Sequence, residues 1–207
     1  MEAMKPFLLI ILALFFLGGC TTVEHSTRIS TTLQAMEFNS VASRYMDRPT
    51  FVNVAKMSDG RSVLTVRMDT YGVPQSLKTM KMAPALAETM KNVQITFSRE
   101  NVAGYINAID KFVEWAELAT NRNDAFTKEI ASVPTWANGG KNSTLPLKFG
   151  FHSGNDQQHF LTVCYGGTLA NLDNQFFTIS GAKKLRQLLL AFSSDSLRQT
   201  NIDDVYK

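Results

Sequence analysis

Alternating apolar and polar residues predict an antiparallel hairpin between residues 50 and 70. Two alternating runs there flank Asp59-Gly60, a dipeptide typical of two-residue hairpin turns. A register with Ser58 opposite Arg61 gives the hairpin one core face and one mostly solvated face, as a one-sided antiparallel sheet requires. In that register one face carries Phe51, Asn53, Ala55, Met57, Ser62, Leu64, Val66 and Met68, and the other carries Val52, Val54, Lys56, Val63, Thr65 and Arg67.

Four further strands follow this hairpin in the predicted order of elements. A second hairpin spans residues 145–167, and single strands cover 93–98 and 175–180. Together with the helices described next, these strands predict an α+β fold built on antiparallel sheet with two main helices.

Apolar residues at three- and four-residue spacing predict two amphipathic helices. The first follows Ser98 and the second follows Ser180. Each serine is the predicted N-cap, because its hydroxyl can accept a hydrogen bond from a first-turn amide. A helical pattern also resumes over 124–131. The apolar stripes comprise Val102, Ile106, Ile109, Phe112, Val113 and Ala116 in the first helix, and Leu185, Leu188, Leu189 and Phe192 in the second.

The connecting segments have weaker patterns. Residues 33–46 are compatible with a short helix or a first edge strand. Residues 133–144 are predicted to be a loop, because glycine and asparagine are frequent there. A short helix is predicted over 84–90, and the methionines of 71–92 are interpreted as adaptable core filling: Met80, Met82 and Met90.

The two halves of the chain have the same order of predicted elements. Each contains a hairpin, a third strand ending in serine and an amphipathic helix, which is compatible with two βββα units over 50–131 and 145–193. The same order also arises without duplication, because serine is a common N-cap. Paired βββα units resemble the topology of single-stranded nucleic-acid-binding modules of the Pur-alpha and Whirly type, with no shared motif. Fold alone does not transfer function, and no nucleic-acid partner is expected.

The N-terminal stretch carries the localisation signal. Lys5 precedes an unbroken apolar run over 7–17, which is shorter than the ~20 residues that cross a bilayer. The small residues that follow end in a cysteine, and Leu17-Gly18-Gly19-Cys20 resembles the lipobox of bacterial lipoproteins. The resemblance implies that residues 1–19 are a signal peptide and that Cys20 is lipidated on sulfur. The alternative is an ordinary secretory signal with a chance cysteine.

This resemblance divides the chain and gives it a location. Residues 20–32, which are polar and rich in serine and threonine, are predicted to be a lipidated N-terminus and flexible tether. Residues 33–207 are predicted to be a single α+β domain. The implied location is a bacterial membrane. The outer membrane is favoured because Thr21, not an aspartate, follows the cysteine, and the domain then faces the periplasm or the cell surface.

Composition and charge exclude two broad classes. Hydrophobic residues make up 44% of the chain and it contains 14 phenylalanines, which argues against intrinsic disorder. The net charge of +3 is small, and the basic residues are spread among acidic ones. No basic block reaches the density of a nucleic-acid-binding patch.

Few residues are candidates for chemistry. The common hydrolase and metalloprotease signatures do not occur in the sequence, so no catalytic residue, metal ligand or cofactor is assigned. His152 and His159 flank the second hairpin turn, but matching the apolar faces of the two strands places these imidazoles on opposite sides of the sheet. Cys164 is predicted to be a buried, unreactive thiol. Trp136 is predicted to be an exposed contact residue, because it lies in a glycine-rich loop.

These observations predict a non-enzymatic binding or accessory module in the cell envelope. Its expected partners are the lipid bilayer, through acylated Cys20, and envelope proteins. The alternative is a hydrolase-like envelope enzyme with an unrecognised site. An enzyme should gather His, Asp or Cys side chains in one pocket, whereas a binding module should carry an exposed apolar or aromatic patch.

Overall fold

The computed structural model describes residues 21–71, 92–136, 144–166 and 174–197. Two α-helices and ten strands form the described part, which confirms the predicted α+β class. The predicted signal peptide, Cys20, the predicted helix at 84–90 and the methionines Met80, Met82 and Met90 lie outside the described residues. The strands are β1 (Val23–Ile29), β2 (Ala35–Asn39), β3 (Arg44–Arg48), β4 (Thr50–Met57), β5 (Ser62–Asp69), β6 (Asn92–Ser98), β7 (Thr127–Trp136), β8 (Thr144–Ser153), β9 (His159–Tyr165) and β10 (Gln175–Phe177), and the helices are α1 (Val102–Arg122) and α2 (Ile179–Ser193).

The strands form two antiparallel sheets. The four-stranded sheet has the order β1-β4-β5-β6, and the six-stranded sheet has the order β3-β2-β10-β9-β8-β7. The β2–β3 hairpin joins the second sheet, so residues 33–46 form β2 and the start of β3 and not a helix; β3 is the edge strand, and β2 lies between β3 and β10.

Both sheets and both helices share one core. Each helix turns an apolar stripe inward, and α1 and α2 also contact each other. The largest fully buried side chains of this core are Phe97, Tyr105, Phe112, Phe149, Phe151, Phe177 and Phe192. Strands β1, β2, β3 and β7 are not among the strands of the two predicted βββα units, and they extend both sheets. Those units and the duplication behind them stay predictions.

The predicted flexible tether is wrong for residues 23–29, which form β1. This strand pairs with β4, and Ile29 at its end is buried. Only Val23 and Ile29 are apolar in it, so it lacks the alternation by which a half-buried strand is identified. Edge pairing of its backbone, and not side-chain burial, holds most of this segment in the sheet.

The Asp59-Gly60 hairpin exists, but its register differs by one residue from the prediction. Lys56 pairs with Ser62, and the Met57 N–H donates to the Arg61 carbonyl over 2.8 Å. The loop therefore has three residues, with Gly60 at the left-handed position (φ 85°). A one-residue slip exchanges the two faces of one strand relative to its partner, so Val52 of β4, and not Phe51, joins Leu64, Val66 and Met68 of β5 in the main core.

The helical pattern over 124–131 is also wrong, because β7 begins at Thr127 and pairs with β8. Asn123 ends α1 in the left-handed conformation (φ 57°), which asparagine tolerates better than most residues. The strand then continues to Trp136, so residues 133–136 are strand and not the predicted loop; of the rest of the predicted loop over 133–144, only residue 144 is described, and it begins β8. β7 therefore belongs to the six-stranded sheet, whereas β4, β5 and β6 belong to the four-stranded sheet.

Both predicted N-caps are wrong in detail. A 3₁₀ turn separates Ser98 from α1, and the buried Ser98 hydroxyl lies 3.1 Å from the Tyr105 hydroxyl instead of capping the helix. In α2 the cap is Thr178, whose hydroxyl accepts a hydrogen bond from the Gly181 N–H over 3.1 Å. Threonine is itself a good cap, and it starts the helix one residue before Ser180.

Candidate binding site

The outer face of the six-stranded sheet carries a group of aromatic side chains and an adjoining groove, and we consider it the candidate binding site. Side chains alternate along a strand, and Leu161 and Val163 of β9 lie in the core. Phe160, Thr162 and Cys164 therefore lie on the outer face. The pairing of Thr162 with Phe176 brings β10 into the same face.

Five aromatic rings gather on this outer face, around Tyr45 of β3. Its ring centroid lies 4.3 Å from that of Phe160, 4.8 Å from Phe176, 5.2 Å from Phe38 and 5.7 Å from His152. We call Phe38, Tyr45, His152, Phe160 and Phe176 the aromatic cluster. Edge and tilted arrangements at these distances are favourable for ring pairs. The cluster joins β2, β3, β8, β9 and β10 across the sheet.

The cluster is open to solvent on one side. Phe38 is 49% exposed, and Val41 at the tip of the β2–β3 hairpin is 95% exposed. Tyr45, His152 and Phe176 are half-buried, whereas Phe160 is buried beneath them. A contiguous exposed group of large apolar side chains is a common sign of an interaction site.

His152 is held by two hydroxyl groups. Its Nε2 lies 2.6 Å from the Tyr45 hydroxyl and its Nδ1 lies 2.9 Å from the Thr127 hydroxyl. Burial lowers the pKa of His152 below its usual value and raises the pKa of Tyr45. At neutral pH both side chains are therefore uncharged. A neutral imidazole has one donor and one acceptor nitrogen, so one hydroxyl donates to the ring and the other accepts from it.

A groove of about 470 Å³ runs beside the cluster over β8, β9 and β10. Its walls include His152, Phe176, Cys164 and the Lys148–Glu129 ion pair, whose charged atoms are 3.0 Å apart. The groove thus combines apolar, hydroxyl and charged groups along one sheet face. Such a mixed lining is typical of ligand sites, where a few polar groups fix orientation.

Gly150 forms the floor of this groove. A Cβ atom at residue 150 would lie 2.5 Å from the Thr162 Oγ1 on the paired strand, so no larger residue fits without movement. The glycine allows the threonine hydroxyl to occupy the space beside β8.

The two candidate histidines lie on opposite faces of the sheet, as predicted from the apolar pattern. His152 pairs with Phe160, and Ser153 pairs with His159, so the two rings point to different sides. His159 is only 4% exposed, and its Nδ1 lies 3.0 Å from the Ser153 hydroxyl. Burial lowers its pKa, and the Asp156 carboxylate opposes that shift. In the described residues no group of three or more His, Cys, Asp or Glu side chains is arranged to hold a metal ion.

The predicted burial of Cys164 is wrong: its side chain is partly exposed and lines the groove. Alternation explains this, because the neighbouring Val163 takes the core position of the strand. Cys164 and His152 share the outer face, but the register places them four pairs apart, a separation of about 13 Å along the strands. The pair is too far apart to form a thiolate–imidazole dyad.

The predicted exposure of Trp136 is wrong too: it is 7% exposed. It packs with Ala55, Met57 and Val63 on the outer face of the four-stranded sheet, and the Arg61 guanidinium lies 4.9 Å from its ring centroid. The cause is the extension of β7, which carries the tryptophan out of the expected loop and across β6.

Strand alternation predicts part of the aromatic cluster from the sequence. Phe176 and Phe177 are consecutive in a strand, so only one of them can face the core. The same holds for Phe151 and His152. Tyr45 had no such signal, because the strand assignment of residues 33–46 was open.

None of the helices within the described residues is both long and apolar enough to cross a membrane.

Similarity to known proteins adds no constraint on this site. Comparison of the chain with protein-family models, curated proteins and solved structures gave no match.

Proposed function

We propose that this protein is a lipid-anchored binding module of the bacterial cell envelope, and that the outer face of its six-stranded sheet holds the partner. The aromatic cluster carries the proposal. An exposed apolar and aromatic patch is the feature that distinguishes a binding module from an enzyme in this class of chain. The adjoining groove supplies polar groups that would fix the partner's orientation.

The proposed anchor would hold the domain close to the bilayer. Cys20 precedes β1 by three residues, which span at most about 10 Å when extended. Thr22 is tied to the β4–β5 turn, because its N–H donates to the Ser58 hydroxyl over 3.0 Å and its carbonyl accepts from the Ser58 N–H over 2.9 Å. The turn at Asp59 would therefore face the membrane if Cys20 is acylated.

The enzyme alternative is less well supported by the geometry. The groove gathers one histidine and one cysteine, but they lie four register pairs apart. Both ring nitrogens of His152 lie within hydrogen-bonding distance of hydroxyl groups, and this arrangement fixes the ring in the cluster. The contacts of the outer face favour binding over covalent chemistry.

Loss of the partner on removal of Phe38 tests the proposed binding face. Membranes carrying the full-length chain would be solubilised in mild detergent, and the mass of the native assembly would be measured for wild type and variants. Leu118→Ser is the matched control, since Leu118 is 55% exposed and Phe38 is 49% exposed. We expect wild type and Leu118→Ser to migrate as the same assembly and Phe38→Ser to lose mass. An unchanged assembly in Phe38→Ser, or a bare monomer in wild type, would contradict the proposal.

The anchor has its own test. Cys20→Ala removes the thiol that the lipobox pattern offers as the lipid acceptor, so the variant should leave the membrane fraction. Sedimentation of the variant with membranes after a high-salt wash would show that another feature holds the chain there.

A further inference from the structure

A second pocket opens at the edge of the aromatic cluster, where β10 ends and α2 begins. It holds about 400 Å³, and its walls include Arg44, Tyr45, Phe160, Thr178 and Ser180. Tyr45 and Phe160 are shared with the aromatic cluster, and none of the described residues that line the pocket lines the groove. None of the described residues that line it is acidic.

The pocket is built on the N-terminus of a 15-residue helix. The first amides of a helix have no intrahelical acceptor, and the helix dipole adds positive potential there. In α2 the Thr178 hydroxyl caps the Gly181 N–H, and it lies 3.2 Å from the Ser180 hydroxyl. Arg44, at the start of β3, adds a full positive charge and forms no ion pair with another described residue.

A buried histidine gives an independent sign of a ligand. His159 lines the same pocket and is 96% buried, since only 4% of it is exposed. Its Nδ1 is engaged by Ser153, whereas its Nε2 is buried and has no hydrogen-bond partner within the described part of the chain. The Ser153 oxygen accepts from the Phe126 N–H, and the Ser153 hydroxyl can donate its own proton to Nδ1. In the tautomer in which Ser153 is the donor, Nε2 carries the proton and needs an acceptor.

We propose that this pocket binds an oxyanion, a carboxylate or phosphate group, carried by a molecule with a flat apolar part. The Arg44 guanidinium and the first turn of α2 hold the charged oxygens, and the His159 Nε2–H donates to one of them. The flat apolar part lies against Tyr45 and Phe160. The pocket shares Tyr45 and Phe160 with the aromatic cluster, but its charged and hydrogen-bonding groups belong to neither the cluster nor the groove, so anion binding is tested separately from the proposed function.

A titration series separates the charged and apolar requirements. The full-length chain in detergent micelles, labelled with ¹⁵N-histidine, would be titrated with inorganic phosphate, phenyl phosphate, benzoate and benzyl alcohol. We expect phenyl phosphate and benzoate to bind at least tenfold more tightly than inorganic phosphate, and to shift the His159 Nε2 resonance. Their relative affinities distinguish a phosphate from a carboxylate ligand. Benzyl alcohol should leave the resonance in place.

Two substitutions complete the test. Arg44→Gln should weaken binding of the preferred anion at least tenfold, because it removes the only guanidinium among the described lining residues. Arg122→Gln removes the same charge from the last turn of α1 and should change the affinity less than twofold. Equal weakening by both variants would reveal a diffuse charge effect. An unmoved His159 resonance, or phenyl phosphate no tighter than inorganic phosphate, would also overturn the proposal.

Discussion

Substitution of Gly150 by alanine should destabilise the sheet through one atom of the paired strand. The new Cβ would meet the Thr162 Oγ1 at 2.5 Å, about 1 Å closer than ordinary van der Waals contact allows. Thr162 is β-branched, so its side chain has few other rotamers within a strand. Overpacking of this kind costs about 1–3 kcal/mol of the free energy of unfolding.

A double substitution isolates this contact. The double variant Gly150→Ala/Thr162→Ala lacks the Thr162 Oγ1. The new Cβ of residue 150 would then lie 3.9 Å from the Cβ of residue 162, which is an ordinary van der Waals contact. The free energy of unfolding, measured by urea titration, should show a favourable coupling of about 1 kcal/mol or more between the two changes. Gly181→Ala is the matched control, because its nearest atom would be 3.4 Å away, and its stability should not fall. Additive effects of the two substitutions would refute the close approach of β8 and β9 at this position.

Three further predictions address the turn, the core and the titrating histidines. Gly60→Val should cost about 1 kcal/mol or more, because φ at residue 60 is 85° and a β-branched residue resists that conformation; an unchanged urea midpoint would contradict the turn. Tyr105→Phe should cost about 1–3 kcal/mol, since the hydroxyl donates to the Pro134 carbonyl over 2.7 Å and accepts from the Ser98 N–H; a midpoint equal to wild type would contradict this role. The pKa of His152 is lowered in the folded state, so the unfolded chain binds more protons and stability falls as the pH drops below about 6.5. In His152→Gln the loss of stability between pH 7.5 and 5.5 should be smaller than in wild type, and an equal loss would refute the burial of this ring.

The sequence patterns were most informative where a side chain had to be buried. Alternation at Val93, Ile95 and Phe97 and the stripe of α1 predicted buried faces correctly, because water exclusion acts on every apolar residue in the same way. The same logic placed His152 and His159 on opposite faces. β1 was not predicted from its side chains, because this edge strand is held by backbone hydrogen bonds, which do not require an alternating pattern of apolar residues.

The candidate site was harder to predict, since it depends on long-range register. The aromatic cluster forms only when β2 and β3 pair beside β10, which brings Tyr45 to a histidine 107 residues away. The burial of Trp136 also depends on the long-range arrangement of strands. Its glycine-rich surroundings predict exposure, whereas the path of β7 over the four-stranded sheet buries it.

Photocrosslinking from Phe38 shows whether the outer face of the six-stranded sheet contacts a partner. A photoreactive phenylalanine analogue would replace Phe38 in cells that express the full-length chain, with the same analogue at Leu118 as the control. Binding through the outer face of the six-stranded sheet predicts one discrete crosslinked product from residue 38 that is absent from residue 118. The absence of a product at residue 38, or the same product from both positions, would contradict the account.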